Sequence, residues 1–198
     1  MTTASPRGVR SFLVAAGLAL ALAAASAQAS IVVYTANLDG PSESPPNASP
    51  GTGFATVTYD TVLHTMRVQS SFAGLVGTTT ASHIHSATAV PFTSTAPVAT
   101  QTPSFTGFPL GVTSGFMDTT FDMTLAASYN SSFITAHGGT VPSAEAFFIN
   151  SLNTGTAYVN IHSSAFPGGE IRGFLVPTPG TAMIIGLGGL LAARRRRA

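Results

Sequence analysis

The central part of the sequence predicts an all-β domain, and two observations favour it. Residues 30–176 are rich in Thr, Val, Phe and Ser, and Gly and Pro interrupt short runs of these residues. In residues 54–59 and 66–69 apolar and polar residues alternate, which is the period of a half-buried strand. The chain contains no Cys, so a disulfide scaffold is excluded. We expect a two-layer β-sandwich of about seven strands with Greek-key connections.

Seven short segments are the candidate strands of this sandwich. Each combines β-branched or aromatic residues with turn-forming residues at its ends. The candidate strands are Ile31–Leu38, Gly53–Tyr59, Thr65–Phe72, Thr79–His85, Phe116–Leu125, Thr156–His162 and Glu170–Val176. Residues 86–115 contain several Pro and Gly turns, so we expect them to form a long surface excursion.

Residues 130–153 are predicted to be a short helical insertion between the strands. Phe133 and Ile134 lead to Gly138-Gly139, a pair that ends a helix. Ser143 is then the expected N-cap of a second helix. The apolar positions of that helix, spaced as i, i+3, i+4 and i+8, are Ala144, Phe147, Phe148 and Leu152.

The first 29 residues have the pattern of an export signal. Arg7 and Arg10 precede an apolar run of 14 residues, Phe12 to Ala25. Ala27-Gln28-Ala29 then supplies the small residues that a signal peptidase recognises. The apolar run is short for a membrane span of about 20 residues, although a retained anchor is the alternative. We therefore expect residues 1–29 to be a signal peptide and the domain to occupy residues 30–176.

Residues 177–198 are predicted to be a second targeting segment. Pro177, Thr178 and Pro179 precede an apolar, Gly-rich run that ends at Ala193. A basic cluster that would remain on the cytoplasmic side of a membrane follows: Arg194, Arg195, Arg196 and Arg197. This tail resembles the PEP-CTERM sorting signal of Gram-negative bacteria, with Thr178 in place of the Glu. The resemblance implies processing by an exosortase-like membrane protease, and a plain transmembrane helix that anchors the protein is the alternative.

The charged residues are sorted along the chain in a way that excludes several classes of site. The whole sequence has a net charge of +1, but residues 30–176 hold two Arg and seven acidic residues, a net charge of −5. No stripe of Lys and Arg exists in this region to neutralise phosphates, so a nucleic-acid-binding domain is excluded. Without Cys, a thiolate nucleophile and a Cys-ligated zinc site are excluded as well.

The last two candidate strands predict a hairpin with a polar face. Pro167-Gly168-Gly169 supplies residues that favour a turn. If the loop closes symmetrically, His162 lies opposite Glu170 and Asn160 lies opposite Arg172. The residues of the polar face are then Tyr158, Asn160, His162, Glu170 and Arg172. One interpretation is a hydrogen-bonded and ion-paired array that fixes the register of the strands and binds no ligand.

A second polar pair, His83-Ile84-His85, lies on the fourth candidate strand. Residues two apart on a strand point the same way, so both imidazoles would share one face with Ile84 in the core. Two neutral imidazoles can hold a metal ion, with His162 as a third ligand and Glu170 as the carboxylate that orients it. The ion would be copper or zinc. The alternative is a pair of hydrogen-bonded histidines without a metal.

The remaining titratable residues carry no prediction of catalysis. His64 and His137 are expected in loops without a role, and Asp118 and Glu145 are expected to be solvated. No pair of carboxylates suggests acid–base chemistry, so we predict no catalytic residue.

Several segments carry a family resemblance. Residues 38–46 have the pattern L-x-G-x-x-E-x-P-P, residues 82–85 are Ser-His-Ile-His, and the most specific segment runs from Ala157 to Gly173. Together they resemble the CHRD domain, which occurs in the secreted animal protein chordin and in many microbial secreted proteins. The resemblance implies an immunoglobulin-like or related β-sandwich and says little about activity. The His-x-His pair also looks like the copper-binding strand of copper/zinc superoxide dismutases, by analogy of fold alone.

These observations predict an exported bacterial protein of the periplasm, the cell surface or the extracellular space. The leading hypothesis is a non-catalytic binding or structural module, with extracellular polysaccharide or matrix proteins as partners. The alternative is a metal-binding or redox protein, similar to superoxide dismutase, that uses His83, His85 and His162.

Overall fold

The computed structural model describes residues 31–178, and it confirms the predicted all-β class. The strands are β1 (Ile31–Asp39), β2 (Thr52–Asp60), β3 (Thr65–Ala73), β4 (Thr79–His85), β5 (Gly115–Asp122), β6 (Tyr158–Ser163), β7 (Ile171–Phe174) and β8 (Val176–Pro177). They form one antiparallel sheet that curls into a half-barrel, in the order β4-β6-β7-β1-β2-β3-β5, with β8 paired to β1. The predicted sandwich therefore takes the form of a single curled sheet with a continuous hydrogen-bonded ladder.

The hydrophobic core lies on one face of this sheet because apolar residues alternate along the strands. In β1, Tyr34, Ala36 and Leu38 are buried, and the pattern continues in β2 and β3. Full burial of one large apolar side chain contributes about 1.5–3 kcal/mol. The core residues of the neighbouring strands are Ala55, Val57, Tyr59, Met66 and Val68.

The helical insertion is present between β5 and β6. It consists of a short 3-10 helix and two α-helices: Ala126–Ser128, α1 (Ser131–Ala136) and α2 (Val141–Asn153). Helix α2 lies against β1 and β2, because Tyr34 Oη donates to Asn153 Oδ1 (2.7 Å) and Tyr59 Oη donates to Glu145 Oε1 (2.6 Å).

Two expectations for α2 were wrong. The helix begins after Thr140, whose side chain accepts from the Ser143 backbone N–H, so Ser143 is the third residue of a capping box. Pro142 explains the earlier start, since a proline fits the first turn of a helix. Glu145 is buried, not solvated, because it precedes Phe148 by three residues and so lies on the same helical face.

Residues 86–115 form a partly buried covering layer instead of a simple surface excursion. The segment pairs with the sheet where His85 bridges to Val98. Apolar side chains then anchor it, since Ala99, Phe105 and Phe108 are buried in the core. This segment hydrogen-bonds along the edge of β4 that is not paired with β6, and its carbonyls of Ala96 and Pro103 lie beside the two predicted histidine ligands.

Most of the residues on which the targeting predictions rest lie before residue 31 or after residue 178. The predicted signal peptide, Pro179 and the arginine cluster lie outside the described residues. Pro177 and Thr178 are described: Pro177 pairs with Tyr34, and the Thr178 backbone N–H donates to Val33 O (2.8 Å). Within residues 31–178, no helix is long and apolar enough to cross a membrane.

Candidate metal centre

The structure brings the three predicted histidine ligands together on one face of the sheet. His83 and His85 lie on β4, and His162 lies on the adjacent antiparallel strand β6. The register pairs His83 with Asn160, so His83 and His162 are diagonal neighbours across the two strands. Ile84 points to the opposite face and is fully buried, as the alternation predicts.

The imidazole rings of these histidines are close enough to share one ion. One ring nitrogen from each residue lies within 4.8 Å of the others. The shortest separation is 2.9 Å, between Nε2 of His83 and Nε2 of His162. His83 is buried, and the other two are half-buried at the edge of the covering layer.

Each imidazole is oriented by a backbone carbonyl that lies beside its Nδ1. His83 Nδ1 is 3.1 Å from Pro103 O, His85 Nδ1 is 2.6 Å from Ala96 O, and His162 Nδ1 is 2.9 Å from Pro167 O. A carbonyl oxygen only accepts hydrogen bonds, so each Nδ1 must carry the proton and donate it. In a neutral ring the other nitrogen, Nε2, then carries no proton and presents a lone pair.

Burial keeps all three rings in the neutral form. Desolvation, together with the smaller effect of the neighbouring histidines, lowers the pKa of His83 to about 3 and that of His85 to about 4. Desolvation also lowers the pKa of His162. At neutral pH the cluster therefore presents three uncharged imidazoles, which is the form that binds a metal ion.

With all three rings neutral and protonated on Nδ1, the three Nε2 atoms are hydrogen-bond acceptors, and none of them can donate to another. Nε2 of His85 is buried and has no hydrogen-bond partner among the described residues. Nε2 of His83 and Nε2 of His162 face each other at 2.9 Å, although the carbonyls assign both rings the same tautomer. Two acceptors at this distance repel unless a cation lies between them. A single metal ion would satisfy the three lone pairs at once.

The separations fit a metal ion after a small adjustment. Bonds of about 2.0–2.1 Å between a metal and imidazole nitrogen place the nitrogens about 3.3–3.6 Å apart. The 2.9 Å pair would open slightly and the widest separation, 4.8 Å, would close by about 1.2 Å.

Tyr158 and Arg172 support the cluster from the side of β7. The Tyr158 ring stacks on the His85 ring, with the centroids 4.7 Å apart and the planes 4° from parallel. The Arg172 guanidinium lies over the Tyr158 ring, with its carbon Cζ 4.8 Å from the ring centroid. Tyr158 Oη also accepts from the Ala96 N–H (3.2 Å), so it fixes the loop whose carbonyl orients His85.

The predicted hairpin is present, and its polar face is buried. Asn160 pairs with Arg172, as predicted, and both are largely inaccessible. Arg172 donates to the carbonyls of Ser42 and Ser94 and lies 3.8 Å from Glu43 Oε2. Burial raises the pKa of Glu43 to about 7 even though the charge of Arg172 acts to lower it.

One predicted role within the hairpin was wrong. Glu170 does not orient His162, since it accepts hydrogen bonds from Ser49 Oγ (2.6 Å) and from the backbone N–H groups of Val76 and Gly77. The β6–β7 ladder ends at the pair Ile161–Ile171, next to Glu170. The Glu170 carboxylate therefore reaches the loop between β3 and β4 instead of facing His162. Backbone carbonyls take the orienting role that was assigned to this carboxylate.

Several contributors to the site were not predicted. The carbonyls of Ala96 and Pro103 belong to the covering layer, and a main-chain acceptor leaves no signal in side-chain patterns. His64 was assigned no role, but its Nδ1 lies 2.9 Å from Glu145 Oε1 and forms a second, separate polar cluster. The spacing of Glu145 relative to the apolar positions of α2 is the signal that indicates its burial.

Comparison with known families agrees with this architecture. The model of the CHRD domain matches residues 34–175, which is more than half of the chain. The chain belongs to the CHRD domain family. In this CHRD domain, the matched region contains every residue of the histidine cluster and of the buried polar face. No curated protein and no solved structure matches the chain significantly.

Proposed function

We propose that this CHRD domain is a non-catalytic metal-binding module that holds one copper or zinc ion on His83, His85 and His162. The observation that carries the proposal is that a backbone carbonyl lies within hydrogen-bonding distance of each Nδ1, which assigns the proton to Nδ1 and leaves Nε2 unprotonated. Ordinary hydrogen-bonded histidines would use both ring nitrogens. Here the three unused nitrogens converge.

The donor set favours copper or zinc over other biological cations. Imidazole nitrogen suits copper and zinc, whereas calcium and magnesium prefer oxygen ligands. The orienting hydrogen bond on each Nδ1 is the outer contact that metal-binding histidines commonly make. Three protein ligands leave a coordination position for water or another small ligand.

The test is metal analysis of the purified protein after chelation and reconstitution. We expect one equivalent of copper or zinc, and loss of binding in His83→Ala, His85→Ala and His162→Ala. His137→Ala is the matched control, since His137 follows α1 as its C-cap residue, outside the cluster, and should leave binding unchanged. In the copper(II) form, electron paramagnetic resonance should show three imidazole nitrogens.

Two results would change the assignment. Binding of less than about 0.1 equivalent by the wild-type protein contradicts the proposal, because a three-histidine site normally retains its metal. Rapid consumption of superoxide by the copper-loaded protein would instead favour the redox alternative. Variants that lose metal but keep the wild-type circular dichroism spectrum would show that the histidines bind the ion directly.

We also propose that the protein is exported and acts at the bacterial cell surface or outside the cell. The support is the pattern of the two termini: the cleavage site at residues 27–29 and the tail with Arg194–Arg197. Signal peptidase and an exosortase-like protease are the proposed processing partners, and extracellular polysaccharide or matrix proteins are the proposed surroundings. Fractionation of cells that express a chain without the four arginines tests this, since unchanged release or anchoring contradicts the sorting role.

A further inference from the structure

A second site lies between the covering layer and the helical insertion, and none of the three histidine ligands lines it. It is a cavity of about 390 Å³ lined by residues that include Ser86, Pro97, Val98, Phe133, Ala136 and Phe147. Cavities that bind small molecules commonly span about 300–1,000 Å³ and have mainly apolar walls. The walls belong to three elements: α1, α2 and the segment after β4.

One polar group in this cavity has no partner. Ser86 is almost completely buried, and its Oγ makes no hydrogen bond within residues 31–178. A buried hydroxyl without a partner costs about 1–3 kcal/mol. A bound molecule that supplied one donor or acceptor would remove that cost.

The walls carry no charged group. Among residues 31–178, no Asp, Glu, Lys or Arg lines the cavity, and His137 is the one titratable residue in its lining. His137 stacks on Phe147, and burial lowers the pKa of its imidazole, so it is neutral at physiological pH. An ion would lose its hydration there without compensation, which excludes charged ligands.

We propose that this cavity binds a small, uncharged compound of one or two rings that carries a single hydrogen-bonding group. The rings would lie against Phe133 and Phe147, with Ala136 at the wall formed by α1. The polar group would pair with Ser86 Oγ once that buried hydroxyl turns toward the cavity, since a hydroxyl can donate or accept. None of the three histidine ligands lines this cavity, so failure of the metal-binding test would leave this proposal standing.

Indole is a suitable probe because the protein contains no Trp, so indole emission reports the probe alone. We expect saturable binding with a Kd of about 1 mM or tighter and a blue shift of the emission as indole leaves water. Indene has the same shape without the N–H and should displace indole. Ser86→Ala should weaken indole binding about 2- to 10-fold, the effect of one hydrogen bond, and leave indene binding unchanged.

A filling substitution supplies the matched comparison. Ala136→Phe should abolish binding, whereas Thr135→Phe places the same side chain on α1 at a position that does not line the cavity and should bind normally. If Ala136→Phe does not fold, nuclear Overhauser effects between indole and the methyl groups of Ala87 and Ala136 locate the probe in the wild-type protein. Non-saturable titration up to the solubility limit, or equal binding by all variants, overturns the proposal.

Discussion

Replacement of Glu43 by Gln should remove a pH-dependent loss of stability from this domain. Glu43 is only 6% exposed, and its Oε1 has no hydrogen-bond partner among the described residues. Burial raises the pKa of its carboxyl from 4.5 to about 7, because desolvation of the charged form outweighs the attraction of Arg172 at 3.8 Å. The carboxyl is therefore protonated in the folded state over a range in which it is ionised in the unfolded state.

The sign and size of the effect follow from this difference. The folded state binds the proton more tightly, so the contribution of Glu43 to stability is fully present below pH 4.5 and is lost as the pH rises through about 7. One pKa unit corresponds to about 1.36 kcal/mol, so a shift from 4.5 to about 7 is worth about 3 kcal/mol. Between about pH 5 and pH 8 the wild type should lose about 2–3 kcal/mol relative to Glu43→Gln.

The measurement is urea denaturation of both proteins, followed by circular dichroism at pH 5, 6, 7 and 8. The difference between them is the relevant quantity, because His83 and His85 also titrate in a shifted range. Their lowered pKa values act in the opposite direction, since the unfolded state binds those protons more tightly and stability falls as the pH falls. Asp118→Asn is the control: its pKa is lowered by Arg67, so it is ionised in both states above pH 5 and should leave the pH dependence unchanged.

A constant difference between wild type and Glu43→Gln from pH 5 to pH 8 would refute this reasoning. It would mean that Glu43 has the same pKa in both states, so that either Arg172 or water compensates fully for its burial. A difference of the opposite sign would mean that the ion pair with Arg172 dominates, and that Glu43 stabilises the fold as a carboxylate.

Two further substitutions test the buried polar face. Arg172→Ala should destabilise the domain by about 1–3 kcal/mol, since it removes the donor to two loop carbonyls. Alanine in place of the exposed Arg67 is the control and should cost less than about 1 kcal/mol. Equal melting temperatures for the two variants would contradict the burial of this face. Gly169→Ala should cost about 1–3 kcal/mol, because Gly169 has a φ of +134° and an added Cβ would lie 2.6 Å from Glu43 Oε1; an unchanged midpoint in urea would show that the loop relaxes freely.

The fold was predictable to the extent that local patterns determine it. Alternation along β2 and β3 is clear because one face of each strand is buried and the other is solvated, and the structure matches it residue by residue. On β6 the alternation is polar against apolar, yet both faces are buried. The sequence therefore indicates the strand and its register but not the layer that covers its polar face.

The candidate site shows the same limit. The His-x-His spacing placed His83 and His85 on one face, and His162 was predicted as a third ligand; the pairing of β4 with β6 that brings it beside them came only from the structure. The tautomers were not predictable, because they depend on carbonyls of Ala96 and Pro103 that lie in an irregular segment. The prediction that Glu170 orients His162 is wrong because the hairpin register gives only the position of Glu170 along the strands. Glu170 lies just beyond the last pair of the β6–β7 ladder, and the conformation of the turn there directs its side chain toward Ser49, Val76 and Gly77.

The polar layer between β4, β6 and β7 is costly unless something binds to it. Five buried side-chain polar atoms in residues 31–178 lack a partner, and three of them, on Glu43, His85 and Asn160, lie in this layer. Replacement by apolar residues would remove that cost, as it does for many buried polar groups. The layer is instead held in place by a stack of Arg172, Tyr158 and His85, which fixes the direction of an imidazole whose free nitrogen faces the other two. A metal ion at that point would stabilise the folded state by mass action, and the stability lost to the unpartnered nitrogens would be recovered only in the metal-bound form.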